Sequence, residues 1–430
     1  MSESVKFKDS HVGRIPKGWG VVLGSKILRL GSGVSPSEVV FTNDGEIMFM
    51  KVNDFNHPDN SNGITATNLS FMEVENANVP LYDKGTIVIA KRGAAIFKNR
   101  VQLLAKRSSV DTNLMTINIG SGFSEIFFKN LLEFVNLESI ADTTSIPQIN
   151  NFHLYDMSFI YPPLPEQQKI ASILTSMDEV LEKTQAQINK LKDLKKAMMQ
   201  ELLTKGIGHT EFKDSPVGRI PKSWEYLSAQ ELLDSKVLLA LKDGNHGSQY
   251  PRVNDFTKQG TYFLAASSIT EVGEIDFNSC PCLPDDKAAK LRIKPAKGGD
   301  VILTHNATVG RVGLIPNHIK KIIVSTSTTY YRVNPKIISS GFLKFYFQSP
   351  VYQEQLKTIM GQTTRNQVPI TAQKELLIPL IPTDEQKQIF NLLNSIERTL
   401  ESHQLKHSKT KSLKKALMQD LLTGRVRVKV

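Results

Sequence analysis

The chain has 430 residues, 40% of them hydrophobic and 22% charged, the composition of an ordinary soluble globular protein with two to four domains. No apolar run reaches the ~18 residues of a membrane span, and the N-terminus lacks a signal-peptide core, so a cytoplasmic location is expected. With 53 Lys and Arg against 42 Asp and Glu the net charge is +11, which points toward a polyanionic partner.

In chain order, the first distinctive stretch runs from Phe7 to Trp19. It returns as Phe212 to Trp224 with eleven of thirteen residues identical, 205 positions later. The insert that follows, residues 20–160, reads as mixed α/β with short strands, among them Met48–Lys51 and Gly85–Ala90. Residues 166–205 then form the clearest helix. Leu174, Met177, Leu181, Thr184, Ile188, Leu191, Lys195, Met198 and Leu202 fall on alternating steps of three and four, a heptad seam. Pro162, Pro163 and Pro165 precede it, and Gly206 and Gly208 end it.

The second insert, residues 225–378, repeats the strand signals at Tyr262–Ala265 and Gly299–Thr304, an offset of 214. The second helix repeats the seam at an offset of 219, with Leu393, Ile396, Leu400, His403, His407, Thr410, Lys414, Leu417 and Leu421. The rise from 205 to 219 places about fourteen additional residues in loops of the second insert, where specificity is expected to vary. Each helix is ~60 Å long at ~1.5 Å per residue. A single apolar stripe cannot stand alone in water, so the two helices are expected to pair antiparallel about an approximate two-fold axis. The expected fold class is α+β (mixed α/β): two pseudo-repeated globular domains separated by two long antiparallel coiled-coil helices. The expected boundaries are 1–160, 161–207, 208–378 and 379–430.

Catalytic chemistry is hard to find. The sequence has no phosphate-binding loop, dinucleotide fingerprint, flipped-base tetrad, zinc-protease motif or nucleophile elbow. Cys280 and Cys282 have no second cysteine pair, and His403 and His407 have no third ligand in view, so no metal site is expected. The chain reads as non-catalytic.

Two unlike inserts alternate with two alike helices, each helix beginning just after a proline-rich stretch and at a Glu-Gln pair (Glu166-Gln167 and Glu385-Gln386). With the duplicated Gly-Arg-Ile-Pro-Lys-x-Trp segments, this whole-chain pattern resembles the specificity (S) subunit of type I restriction-modification systems. The resemblance implies two target-recognition domains that each read one half of a bipartite, asymmetric site in double-stranded DNA. It implies helices that set the gap between the halves and dock two methyltransferase (M) subunits, with restriction (R) subunits recruited to the complex. The S subunit itself would bind no cofactor; S-adenosylmethionine, ATP and magnesium would belong to its partners. A bacterial or archaeal, nucleoid-associated location follows, without membrane attachment. The competing reading is a coiled-coil scaffold that binds other proteins rather than DNA. One departure is that the second helix follows Pro-Thr-Asp where the first follows Pro-Leu-Pro.

Candidate DNA contacts come from donor-rich loops at matching places. Lys91 and Arg92 follow one strand, and His305 and Asn306 follow its equivalent; Arg suits guanine and Asn suits adenine in the major groove. Further along, Thr144 and Gln148 correspond to Thr364, Arg365, Asn366 and Gln367. Lys51, Asn53, Ser267 and Ser268 follow another strand pair, and Lys98, Arg100 and Arg311 are candidate phosphate clamps. Trp19 and Trp224 sit in the repeated frame and are expected to anchor the core rather than stack on bases.

Overall fold

The computed structural model describes residues 6–56, 69–361 and 366–429. The chain forms two compact units, Met1–Gln187 with His403–Val430, and Ile188–Ser402. Four helices matter below: α1 (Glu125–Val135), α2 (Leu164–Leu202), α3 (Ser340–Gln348) and α4 (Thr383–Leu422). Each unit contains the N-terminal part of one long helix and the C-terminal part of the other.

The first unit is built on an antiparallel four-stranded sheet in the order Leu28–Ser32, Leu114–Ile119, Ile87–Ala90, Val101–Leu103. The expected strand at Gly85–Ala90 is the interior strand Ile87–Ala90, all four residues buried. A second sheet pairs Ile47–Met50 in parallel with Ser108–Val110. The strand Gly20–Leu23 pairs with Ser158–Tyr161 and so closes the insert just ahead of α2.

The second unit repeats this arrangement. Its four-stranded sheet runs Leu238–Asp243, Thr328–Val333, Val301–Thr304, Val312–Leu314, and Thr261–Leu264 pairs in parallel with Ile323–Val324. Glu225–Ser228 closes on Leu377–Leu380. The additional residues of this insert are not all loop: the helix Pro350–Met360 stands where the first unit has only the short turn Leu137–Ile140.

The heptad pattern is physically realised. None of the nine seam positions on either long helix is exposed, as packed a and d positions require. Within the first unit Lys414 Nζ bonds Asp178 Oδ1 at 2.6 Å, while Leu421 and Leu422 share a core with Ile170 and Leu174. Advancing on one helix therefore means retreating on its neighbour, which is antiparallel pairing. In the second unit Lys195 Nζ bonds Glu397 Oε1 at 2.7 Å, and Met199 and Leu203 share a core with Ile389 and Leu393. His403 and His407 lie half-buried in the seam, and no cluster of three metal-ligating side chains occurs among the described residues.

The Glu-Gln pair fastens each insert to its helix. Glu166 is buried and accepts from Trp19 Nε1 at 3.2 Å, and Arg427 binds the same carboxylate through its Nε at 2.5 Å and a terminal nitrogen at 2.7 Å. Glu385 repeats the node with Trp224 Nε1 at 3.0 Å, but His209 at 2.8 Å and the backbone N–H of Ile207 at 3.0 Å stand where Arg427 did. Gln167 accepts from the backbone N–H of Ser124, the residue that caps α1, and Gln386 accepts from that of Ser339, which caps α3. Both tryptophans are thus buried anchors.

A lysine, an acid and a second lysine recur beside the seam. In the second unit Glu397 holds Lys195 and Lys344 together. Burial alone would push its carboxyl up, but the two ammonium groups outweigh it and hold it below its ordinary range. In the first unit the lysine on α1, Lys129, turns instead to Glu133 at 2.8 Å, a partner that Gln348 cannot offer Lys344.

Candidate nucleic-acid interface

The two donor-rich loops of each insert lie side by side, held by the same main-chain bonds in both units. In the first, Arg92 bridges Gln148, the N–H of Gly93 donates to Pro147 O at 2.8 Å, and that of Ile149 to Lys91 O at 2.9 Å. In the second, Asn306 bridges Gln367, the N–H of Ala307 donates to Asn366 O at 3.1 Å, and that of Val368 to His305 O at 2.8 Å. Gly93 and Ala307 both have positive φ, +80° and +62°. Ala307 accepts the strain of a left-handed residue that its glycine counterpart does not bear. One backbone lattice thus carries two different sets of side chains.

In the first unit Arg92, Lys98, Arg100, Asn53 and Thr144 are exposed, and Lys51, Lys91 and Gln148 are half-buried. Lys91 Nζ donates to Ser32 Oγ at 2.6 Å. Burial pulls the Lys91 ammonium below its usual range, against the attraction of Asp111. Asp111 is itself buried, which raises its carboxyl despite backbone N–H donors from Asn113 and Val52. Thr144 is folded back onto Asp142, whose Oδ1 accepts from its N–H and its hydroxyl. Gln148 Nε2 donates to Asn150 Oδ1 at 2.7 Å. The Arg100 guanidinium donates to the carbonyl of Phe55, which ties it to the loop after Lys51.

In the second unit Ser267 and Asn366 are exposed, Asn306, Arg311 and Gln367 are half-buried, and Ser268 and His305 are buried. Thr364 and Arg365 lie outside the described residues. His305 Nδ1 meets Thr329 Oγ1 at 2.9 Å. Burial lowers its pKa and keeps it neutral, with Asp243 pulling the other way. His305 therefore supports Asn306 from beneath instead of presenting its own ring. Arg311 donates to Ile269 O at 2.8 Å and lies 3.8 Å from Glu271.

Sequence reasoning missed the polar floor under these loops. Its buried members are Asp111 in the first unit and Ser325 in the second; exposed Ser32 and Asn113 flank the former, and half-buried Asp243 and Ser327 the latter. Ser325 and Ser327 share a 2.7 Å hydroxyl contact, and Ser327 Oγ accepts from the N–H of Ala266. The polar triplets Asp111-Thr112-Asn113 and Ser325-Thr326-Ser327, at the 214 offset, were the available signal. Gly33 and Gly244 let the chain cross this floor: a Cβ would lie 1.9 Å from Val110 O and 2.2 Å from Val324 O.

Cys280 and Cys282 are free, buried thiols in the second unit, both pushed up by burial and so poor nucleophiles. Among the described residues no helix is long and apolar enough to cross a membrane.

Residues 16–193 and 250–410 match the family described as type I restriction modification DNA specificity domain. The chain belongs to that family. It is 27% identical over 433 residues to the type I restriction enzyme MjaVIII specificity subunit of Methanocaldococcus jannaschii, covering 98% of this chain and 96% of that one. Among solved structures it superposes on the type I restriction-modification S subunit from M. genitalium with a TM-score of 0.60 at 14% identity, covering 98% of this chain and 99% of that one. A chain from a study of complex assembly and conformational transition in a type I system gives a TM-score of 0.54 at 15% identity, over 96% of this chain and 99% of that one. The mixed α/β fold with alternating inserts and long helices is therefore that of type I specificity subunits.

Proposed function

We propose that this specificity subunit reads a bipartite, asymmetric DNA site, one half through each insert. The observation that carries the reading is the shared loop lattice with unlike side chains. A symmetric reader with identical halves calls for a palindrome; a repeated backbone that carries Arg92 in one unit and Asn306 in the other calls for two different half-sites. Arg92 and Gln148 would contact bases in one half, with Lys51, Asn53, Lys91, Thr144, Lys98 and Arg100 on neighbouring bases or phosphates. Asn306, Asn366 and Gln367 would serve the other half, with Ser267 beside them and Thr364, Arg365 and Arg311 assigned to the same loops. His305 and Ser268 would act as supports. The long helices would fix the gap between the half-sites and dock two methyltransferase subunits, with restriction subunits joining them. The chemistry of S-adenosylmethionine, ATP and magnesium would reside on those partners, the S subunit remaining non-catalytic in a cytoplasmic complex on the nucleoid.

The test is co-expression with the methyltransferase subunit of the same host, followed by single-molecule sequencing of methylated adenines. The expected result is one split motif of two unlike short halves around a fixed gap. A palindromic motif, or no methylation by a soluble complex, overturns the reading.

A further inference from the structure

The loop from Asp142 to Gln148 in the first insert carries a side chain that hydrogen-bond readout leaves without a role. Every residue from Asp142 to Ile146 is exposed, and Ile146, among polar neighbours, is 58% accessible. A single apolar side chain on a surface calls for no explanation of its own. This one stands beside the groups proposed to read bases, on a loop that gives it little freedom to move away.

The loop is closed at its base, where Asp142 and Gln148 exchange both main-chain hydrogen bonds, each at 2.9 Å. Inside it, Asp142 Oδ1 accepts from the N–H of Thr144 at 3.0 Å and from its hydroxyl at 2.9 Å, so that hydroxyl is already engaged. Pro147, the next residue after Ile146, accepts from the N–H of Gly93 at 2.8 Å. The apolar tip is therefore one residue from a bond to the loop of Arg92. A residue before proline is driven toward extended backbone, and a β-branched side chain has few rotamers. An isoleucine here is presented to a ligand at small entropic cost. The neighbouring loop adds exposed Arg92, Lys98 and Arg100, a setting that suits nucleic acid rather than an apolar protein face. At the matching place 219 residues on, the sequence has Arg365. The position thus differs in kind between the two halves, as Arg92 and Asn306 do.

We infer that Ile146 is a specificity-determining residue, packing on the 5-methyl group of a thymine next to the base pair contacted by Arg92. That methyl is the one alkyl group the four bases present in the major groove, and apolar contact is what selects it. A phosphate offers an isoleucine nothing, and the purine edges offer only donors and acceptors. The inference rests on the proposed reading of one half-site by this insert and adds a base to it.

The test uses the full chain in complex with its methyltransferase subunit. Duplexes carry the target with each thymine replaced in turn by deoxyuridine, which differs only in lacking the methyl. At one position, beside the base pair relaxed by Arg92→Ala, wild type should bind the replaced duplex about fourfold more weakly, the loss of one buried methyl. Ile146→Ala should show a similar loss on the thymine duplex and be indifferent to that replacement, while Ile146→Val should restore most of the discrimination. Both variants should unfold at the wild-type temperature, since the side chain is exposed. A wild-type complex indifferent to every replacement, or a target without thymine, overturns the inference while a split motif keeps the proposed function standing. A methyl preference that survives Ile146→Ala belongs to another side chain and overturns it too. Brightening of 2-aminopurine beside the thymine, lost in Ile146→Ala, makes the isoleucine a wedge between base steps and also overturns it. A palindromic motif, or none, removes the reading beneath, and both fall together.

Discussion

Replacing Arg427 with Ala should destabilise the first unit far more than replacing His209 with Ala destabilises the second. Glu166 has a side chain only 3% exposed, and two of its three hydrogen bonds come from Arg427. Without that guanidinium the carboxylate keeps one neutral donor, the indole of Trp19. Breaking a buried ion pair from one side costs about 3–5 kcal/mol. Arg427 is itself 35% exposed, so water entering from its side lowers the figure to about 2–3 kcal/mol. Glu385, by contrast, keeps both the Trp224 indole and the Ile207 N–H when His209 is removed, so the loss is that of one hydrogen bond, about 1 kcal/mol.

The chain supplies its own reporters, because its only two tryptophans are the two donors in question. Urea unfolding followed by fluorescence in a Trp224→Phe background reads the first unit, and in a Trp19→Phe background the second. For units of this size a loss of 2–3 kcal/mol lowers the thermal midpoint by about 5–10 °C. Equal losses at the two nodes, or a larger one for His209→Ala, would refute the argument that residual donors decide the cost.

Acid should weaken the second unit selectively. His305 and His246 both have pKa values lowered by burial, so the unfolded chain binds protons first, and stability present above pH ~6.5 falls away as pH drops below it; His305→Gln should flatten that decline in pH-dependent unfolding followed by fluorescence. Asp111 has the opposite sign: burial raises its folded pKa, stability is fully present below the unfolded value and is lost as pH rises, and Asp111→Asn should raise the midpoint of the first unit at pH ~7 but not at pH ~3. Gly33→Ala should cost more than 3 kcal/mol in chemical denaturation, since its Cβ would sit 1.9 Å from Val110 O and both partners are backbone. Arg92→Ala should relax methylation at one or two positions of one half-site and leave the other intact, a loss of about 1–3 kcal/mol of base discrimination; relaxation in both halves would sink the assignment.

The frame was legible because its signals are local or periodic. The heptad of Leu174 through Leu202 needs only the helix period to be recognised, and the Glu-Gln pairs stood out through repetition. The pairing of Arg92 with Gln148 and of Asn306 with Gln367 was legible only as matching offsets, which gave equivalence without contact. What stayed hidden was burial inside a loop. His305 reads as an accessible donor in the string His305-Asn306-Ala307, but the chain turns at Ala307 and drives the imidazole toward Thr329. Asp111 was invisible for a related reason: it lies on a different loop from Lys91, whose ammonium it attracts.

The places where the two halves differ in length sharpen this point. The offset is 211 between Ser32 and Asp243, 214 at Arg92 and Asn306, and 219 at Gln148 and Gln367. Of the fourteen additional residues six precede Asp243, three lie between it and Asn306, and five lie between the two lattice loops; none falls inside the hydrogen-bonded stretches 91–93, 147–149, 305–307 or 366–368. Main-chain bonds hold that lattice, and main-chain bonds are indifferent to side-chain identity. Lys91 can become His305 and Arg92 can become Asn306 while the carbonyl of each first residue still accepts from the N–H of Ile149 or Val368 in the second loop. A reader built this way can exchange the groups it offers to a base without refolding.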